Sequence, residues 1–258
     1  MAKLTSGARV LASITAAASV LFLGVACAPP PAGGGCTVPT AIYGGYPLIA
    51  PVSGWYSADT RTTGNVTVNA DLGAPAGLGC NSAKLTTGAN VQISGTYQDK
   101  AQLFSYAQFG TAFASIANVS YWSYRSSASL GTAANASLNI ELYGTAGYGT
   151  CTVPAGAPGC YANLVYEPYN QSGGTGAIVN DTWQHWDATA TTAGDGVWWT
   201  KQITSGPGSQ SSPQPWAFFQ ARYTDATLGG YGFNLGSNNP NMVVGADGLT
   251  LGATTTDF

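Results

Sequence analysis

Residues 163–201 restrict what this chain can fold into more than any other stretch. They read NLVYEPYNQ, a Gly-rich gap, NDTWQHWDA, a second Gly-containing gap, and VWWTK. Short runs of Val, Tyr and Trp bounded by Gly, Asn and Asp are β-strands joined by turns. Branched and aromatic side chains pack on a pleated surface, and the bounding residues supply turn conformations. The pattern predicts three successive strands of one antiparallel sheet, over residues 163–170, 183–187 and 197–202. Four of the seven Trp fall in this stretch, together with Glu167, Asp187, Asp195 and the only histidine, His185.

The remainder carries the same signal. Residues 54–61, 65–70, 82–87 and 98–109 read as strands, and 116–126 alternates cleanly. Val119, Tyr121, Ser123 and Arg125 face one way there, and Ser120, Trp122 and Tyr124 the other. In residues 136–144, Leu138, Ile140 and Leu142 face the core while Asn139, Glu141 and Tyr143 face away. Residues 216–223 read as one short helix, and 229–236 and 242–252 as closing strands. No internal repeat of the ~40-residue length of a propeller blade is present. The expectation is an all-β, antiparallel two-sheet β-sandwich of jelly-roll or concanavalin-like type, a single domain over residues 36–258.

The first 35 residues read differently. Lys3 and Arg9 precede an uncharged apolar run over 10–25, the composition of a secretory signal peptide over residues 1–26. The run is shorter than the ~20 apolar residues a membrane span needs. Residues 27–35 have a tether's composition, Pro for stiffness and Gly for slack. There are five cysteines, Cys27, Cys36, Cys80, Cys151 and Cys160, an odd number for an exported chain. Cys151 and Cys160 bracket TVPAGAPG and can staple a hairpin loop; Cys36 with Cys80 would fix the start of the domain to its body. An oxidising compartment permits both bonds. Leu23-Gly-Val-Ala-Cys27 resembles the lipobox of bacterial lipoproteins, which implies acylation at Cys27. Gly24 departs from that pattern, since Leu stands four residues before the Cys instead of three. Ordinary signal-peptidase cleavage is the alternative. The expected location is extracellular, with a lipid anchor to the cell envelope as the only membrane contact.

Charge narrows the function. Charged residues make up 7% of the chain against 45% hydrophobic, so hydroxyls, amides, Gly and Tyr must cover the surface. Without Lys3 and Arg9, six basic residues face eleven acidic ones, a formal charge of −5. Nucleic-acid binding, which needs a basic stripe to displace counterions, is not expected.

The order LVYEPYNQ, WQHWDA, VWWT, LGGYGFNLG and ADGLTLG, with SAKLTTG and IANVSYWSYR upstream, resembles a group of uncharacterised secreted bacterial domains. These are similar in outline to concanavalin-like or jelly-roll β-sandwiches, and the resemblance covers roughly residues 54–258. It implies a fold more than an activity, because such sandwiches host lectins, carbohydrate-binding modules, glycosidases, lyases and adhesion modules.

Two constellations carry candidate chemistry. Glu141 and Glu167 are the only glutamates and lie in strands expected to be adjacent. Carboxyl groups ~5–5.5 Å apart suit a retaining glycosidase and ~6.5–9.5 Å an inverting one. The alternative is structural hydrogen bonding, and Pro168 after Glu167 points to a strand end. The second constellation is aromatic. About half of Tyr143, Tyr166, Tyr169, Trp183, Trp186, Trp198 and Trp199 must be core, since neighbouring strand residues alternate. The other half would line a polar face, where flat rings stack on sugars and amides bond hydroxyls. The predicted ligand residues are Asn139, Tyr143, Tyr169, Trp183, Gln184, Trp186, Asp187 and Trp198. His185 stands alone, with neither a zinc-type ligand set nor a G-x-S-x-G elbow. A structural calcium between Asp59 and Asp247 is the one cofactor the sequence leaves room for. The expected function is a monomeric, non-catalytic carbohydrate-binding module taking a polysaccharide or cell-wall glycan. A glycoside-acting enzyme and a structural or adhesive envelope protein are the alternatives.

Overall fold

The structure is a computed structural model and describes residues 52–89, 92–93, 96–130, 134–145, 160–172 and 174–258. In chain order its elements begin β1 (Trp55–Tyr56), β2 (Asn65–Asn69), β3 (Ser82–Thr86), β4 (Gln92–Ile93), β5 (Thr96–Tyr97) and β6 (Ala101–Ser105). Then come β7 (Val119–Arg125), β8 (Ser137–Tyr143), β9 (Tyr161–Tyr166), β10 (Gln184–Asp187), β11 (Val197–Thr200) and β12 (Gln214–Pro215). The helix α1 (Trp216–Arg222) and strands β13 (Thr227–Leu235), β14 (Val243–Leu251) and β15 (Thr254–Thr256) complete it.

Two antiparallel sheets carry the fold. A seven-stranded sheet runs β1-β6-β13-β8-β9-β11-β12, and a six-stranded one runs β10-β7-β14-β3-β2 with β15 beside β14. This is the predicted all-β two-sheet sandwich. The alternation in the sequence decides which side chains meet between the sheets. Leu138, Ile140 and Leu142 of β8, Leu164 and Tyr166 of β9, and Phe233 and Leu235 of β13 face inward. Val119 and Tyr121 of β7, Leu85 of β3 and Val244 and Ala246 of β14 meet them from the other sheet. Tyr121 joins the layers, its ring 6.0 Å from Tyr166 and 5.6 Å from Phe233 and its hydroxyl donating to the Ala136 carbonyl at 2.7 Å. Burying each of these large side chains stabilises the sandwich by about 1.5–3 kcal/mol. A bulge between Leu228 and Tyr231 keeps both on the core side while Gly229 and Gly230 are passed over.

The stretch 163–201 departs from expectation in one respect. β9 and β11 pair with each other, but β10 belongs to the opposite sheet, where Gln184–Asp187 pairs with β7 from Ser123 to Ser120. Pro168 ends the strand run and opens a short 3-10 turn, Pro168–Asn170, so the chain leaves the seven-stranded sheet before β10 begins. β1 is two residues long and not eight, because Asp59 and Thr62 take positive φ of 50° and 52°. The predicted helix is present: Trp216 packs its indole 5.0 Å from Trp198 and donates to the Ile116 carbonyl at 3.1 Å.

The expected signal peptide, the tether, Cys27, Cys36 and Cys151 lie outside the described residues. Cys80 precedes β3 and Cys160 precedes β9. Among the described residues no helix is long and apolar enough to cross a membrane.

Candidate functional site

The residues out of phase with the core share the outer face of the seven-stranded sheet, and pairing arranges them in rows. Phe104, Gly232, Asn139, Val165 and Trp199 lie side by side across β6, β13, β8, β9 and β11. Gln102, Asn234 and Ser137 form the row on one side, and Glu141 beside Asn163 the row on the other. Over this face opens a cavity of about 460 Å³, floored by Ser137, Asn139, Asn163, Val165, Asn234 and Trp199. Arg61, Lys100, Lys201, Glu167, Tyr169, Gln210, Asn238 and Asn239 are among the residues around it. Glycine keeps β13 low beneath this surface. A Cβ on Gly232 would collide with the Leu103 carbonyl, and one on Gly230 would stand 2.6 Å from the Tyr106 ring and 3.1 Å from Glu141 Oε2.

Polar satisfaction in the floor is uneven. Asn139 is only 4% exposed. Its Oδ1 accepts from Ser137 Oγ at 3.3 Å, and its Nδ2 donates to nothing among the described residues. The buried Oδ1 atoms of Asn163 and Asn234 also have no partner there. Such groups each cost about 1–3 kcal/mol when left without a hydrogen bond. The buried oxygens of Asn163 and Asn234 therefore form a set that the hydroxyls of a ligand or water would complete, with the Asn139 amide in the same floor.

Glu167 is held in place by its surroundings. Its Oε2 accepts from Trp199 Nε1 at 2.7 Å, the Tyr169 hydroxyl at 2.7 Å and Asn170 Nδ2 at 3.1 Å. Burial raises its carboxyl pKa, and the three donors oppose that rise. Glu141 sits elsewhere on the face. Its Oε1 accepts from the Tyr161 hydroxyl at 3.1 Å, and burial raises its pKa to about 7 against the pull of Tyr161 and Lys100.

The two glutamates share a face, as expected, but the hairpin does not bring them together. Glu141 pairs with Asn163, and Glu167 follows four residues later, in extended backbone one residue past the end of β9. That offset is roughly 13 Å along the strand direction. Their hydrogen bonds also draw them apart, Glu167 toward Trp199 and Glu141 toward Tyr161. Of the two only Glu167 lines the cavity. A pair of carboxylates flanking one glycosidic bond is not built here.

Cations gather at the same cavity. Arg61 donates to Asp59 through Nε and Nη2 at 2.6 Å each, and Lys100 Nζ meets Asp59 Oδ2 at 2.5 Å. Burial would raise the Asp59 carboxyl, but these partners hold it below the ordinary range. Lys201 is exposed and forms no ion pair among the described residues. Asp59 is thus committed to Arg61 and Lys100, while Asp247 is buried in β14, where its Oδ1 accepts from the Gly248 and Phe258 amides at 2.8 and 3.2 Å. The two acids imagined as calcium ligands serve separate ends. Among the described residues no group of three or more His, Cys, Asp or Glu could hold a metal ion.

The other predicted ligand residues divide. Asn139 and Tyr169 line the cavity. Tyr143 is on the right face but buried against Phe109 and Tyr161. Trp198, with no exposed surface, and Trp186 belong to the core, their indoles donating to the Ala188 carbonyl and Ser123 Oγ at 2.7 Å. The neighbour of Trp198, Trp199, is the indole on the cavity. Gln184 ties its own loop by donating to the Ala177 carbonyl, and Asp187 holds the turn at Thr189. Trp183 lies on the outer side of the six-stranded sheet beside Tyr124. Among the floor residues the sequence reading passed over are Asn163, Val165 and Asn234. The available signal was phase: in β9 and β13 these alternate with Leu164, Tyr166, Phe233 and Leu235. No family model, curated protein or solved structure matches the chain.

Proposed function

We propose that this is a non-catalytic carbohydrate-binding module, taking a polysaccharide or cell-wall glycan in the cavity over the seven-stranded sheet. The observation that carries the reading is Asn139. A nearly buried amide with an unused donor, in a cavity that the Trp199 indole and the Tyr169 ring also line, suits a sugar's mixture of hydroxyls and C–H faces. The offset between Glu141 and Glu167 favours binding over hydrolysis.

The rest of the proposal concerns setting. The chain is exported, tethered through acylated Cys27, and closed by Cys36–Cys80 and Cys151–Cys160 disulfides. That neither Cys80 nor Cys160 is a free thiol supports the two pairs. Cys27→Ser should then release the protein from membranes into the medium, because bacterial lipoproteins hold on through several chains and a single chain gives only ~10⁴ M⁻¹. Unchanged membrane retention in that variant would remove the anchor.

A glycan array with the purified protein, followed by product analysis of every hit, tests the function. Binding without cleavage, weakened about tenfold or more in Asn139→Ala, is the expected result. Absence of glycan binding, or binding indifferent to Asn139, would contradict it.

A further inference from the structure

We infer that the cavity selects an acidic glycan, with the anionic group of one sugar seated beside Lys201, Lys100 and Arg61. This rests on the glycan-binding reading above and narrows its ligand class. The chain has only six basic residues beyond Arg9, and three of them line this one cavity. The other three are engaged elsewhere: Lys84 with Asp71 at 2.9 Å, Arg125 with Asn180 at 2.6 Å, and Arg222 over the Phe218 ring at 5.5 Å. In a protein with a formal charge of −3, that concentration opposes the average field.

At this cavity three cations face two carboxylates, Asp59 and Glu167, which leaves a surplus of one positive charge. Asp59 serves both Arg61 and Lys100. Glu167, the carboxylate lining the cavity, takes its three hydrogen bonds from neutral donors and answers the charge of Lys201 alone. Lys100 is held below the ordinary lysine range by burial first, with Asp59 opposing and the fields of Arg61 and Lys201 adding to the depression. An anion arriving here would relieve that repulsion and could also accept from the idle Nδ2 of Asn139. A neutral sugar could do only the second. Phosphate polymers are a poor fit, since three charges in about 460 Å³ do not form the long basic stripe that a nucleic acid needs.

The test compares oligogalacturonate, the same oligomer with its carboxyls reduced to alcohols, and a sulfated neutral oligosaccharide, each titrated into the purified full chain. The expected result is at least tenfold tighter binding of oligogalacturonate than of its reduced form. Raising salt from about 50 to 500 mM should shrink the difference, as screening requires. Lys201→Gln, a change at an exposed side chain, should weaken the acidic ligand about fivefold and the reduced one little, and Lys201→Arg should restore it. Sulfated sugar equal to galacturonate identifies any oxyanion as the ligand group, and weaker sulfate binding identifies the carboxylate. Equal or better binding of the reduced oligomer, or indifference to Lys201→Gln, overturns the acidic selectivity while leaving glycan binding intact. Failure of every neutral and acidic glycan overturns the glycan reading itself.

Discussion

On the outer face of the six-stranded sheet Trp122 stands 5.1 Å from His185, and Tyr124 stands 5.5 Å from Trp183. These rings lie over glycines: a Cβ on Gly245 would be 2.8 Å from the Trp183 ring, and one on Gly248 2.9 Å from Trp122. Leu72 and Leu78 reach the same glycines, and Trp183 donates its indole N–H to the Leu72 carbonyl. The aromatic face therefore covers itself. The outer face of the seven-stranded sheet carries a single cavity-lining indole, Trp199, among amides whose hydrogen bonds are incomplete. Ring count identifies where surface is packed, and unused polar capacity identifies where a ligand is missing.

The largest expected effect separates two tryptophans. Trp199→Ala removes a cavity wall and a donor to Glu167, so glycan affinity should fall more than about tenfold and stability by about 3 kcal/mol. Trp183→Ala should leave affinity within about twofold. Titration calorimetry on both variants, with circular dichroism to confirm folding, measures the contrast, and the reverse ranking would move the site to the other face.

A smaller effect contrasts two glycines. Gly230→Ala forces a methyl into Tyr106 and Glu141 at the floor's edge and should cost about 1–3 kcal/mol. At 2–4 °C per kcal/mol that is a clear loss in Tm. Gly245→Ala should cost less, because the half-buried Trp183 ring can tilt outward. Equal losses would mean that the aromatic face is packed as rigidly as the floor.

Next in size is pH dependence, read on two buried acids, one from each sheet. Burial raises Glu141 from 4.5 to about 7 and Asp247 from 3.8 to about 6. An acid with a raised folded pKa keeps its full stabilising share below its unfolded pKa. It loses that share as pH climbs through the folded one. Stability, and Tm with it, should therefore fall between pH 4 and 8. Glu141→Gln should flatten the part of the curve nearest pH 7, and Asp247→Asn the part nearest pH 6. A Tm that rises over this range would contradict both assignments.

Much of the fold was legible because one-sided burial writes itself as alternation. The inward phase of Leu138, Ile140 and Leu142 and the outward phase of Glu141 follow from β8 alone. What alternation does not carry is partnership between strands. It requires Trp198 and Trp199 to part, but pairing of Trp198 with core Tyr166 decides which one faces the core. The separation of Glu141 from Glu167 depends likewise on the β8–β9 register, a relation between strands that no local pattern encodes. β10 crossed sheets because its hydrogen-bond partner, β7, lies some sixty residues earlier. Arg61 and Lys100 were missed for the same reason, since only folding brings them both to Asp59.

The most direct test follows the seven indole N–H signals of the isotopically labelled protein during titration with the glycan that binds best. The account predicts that the Trp199 resonance moves in proportion to saturation, while those of Trp122 and Trp183 stay in place. Movement of Trp122 and Trp183 with Trp199 unchanged would contradict it and transfer the binding site to the six-stranded sheet.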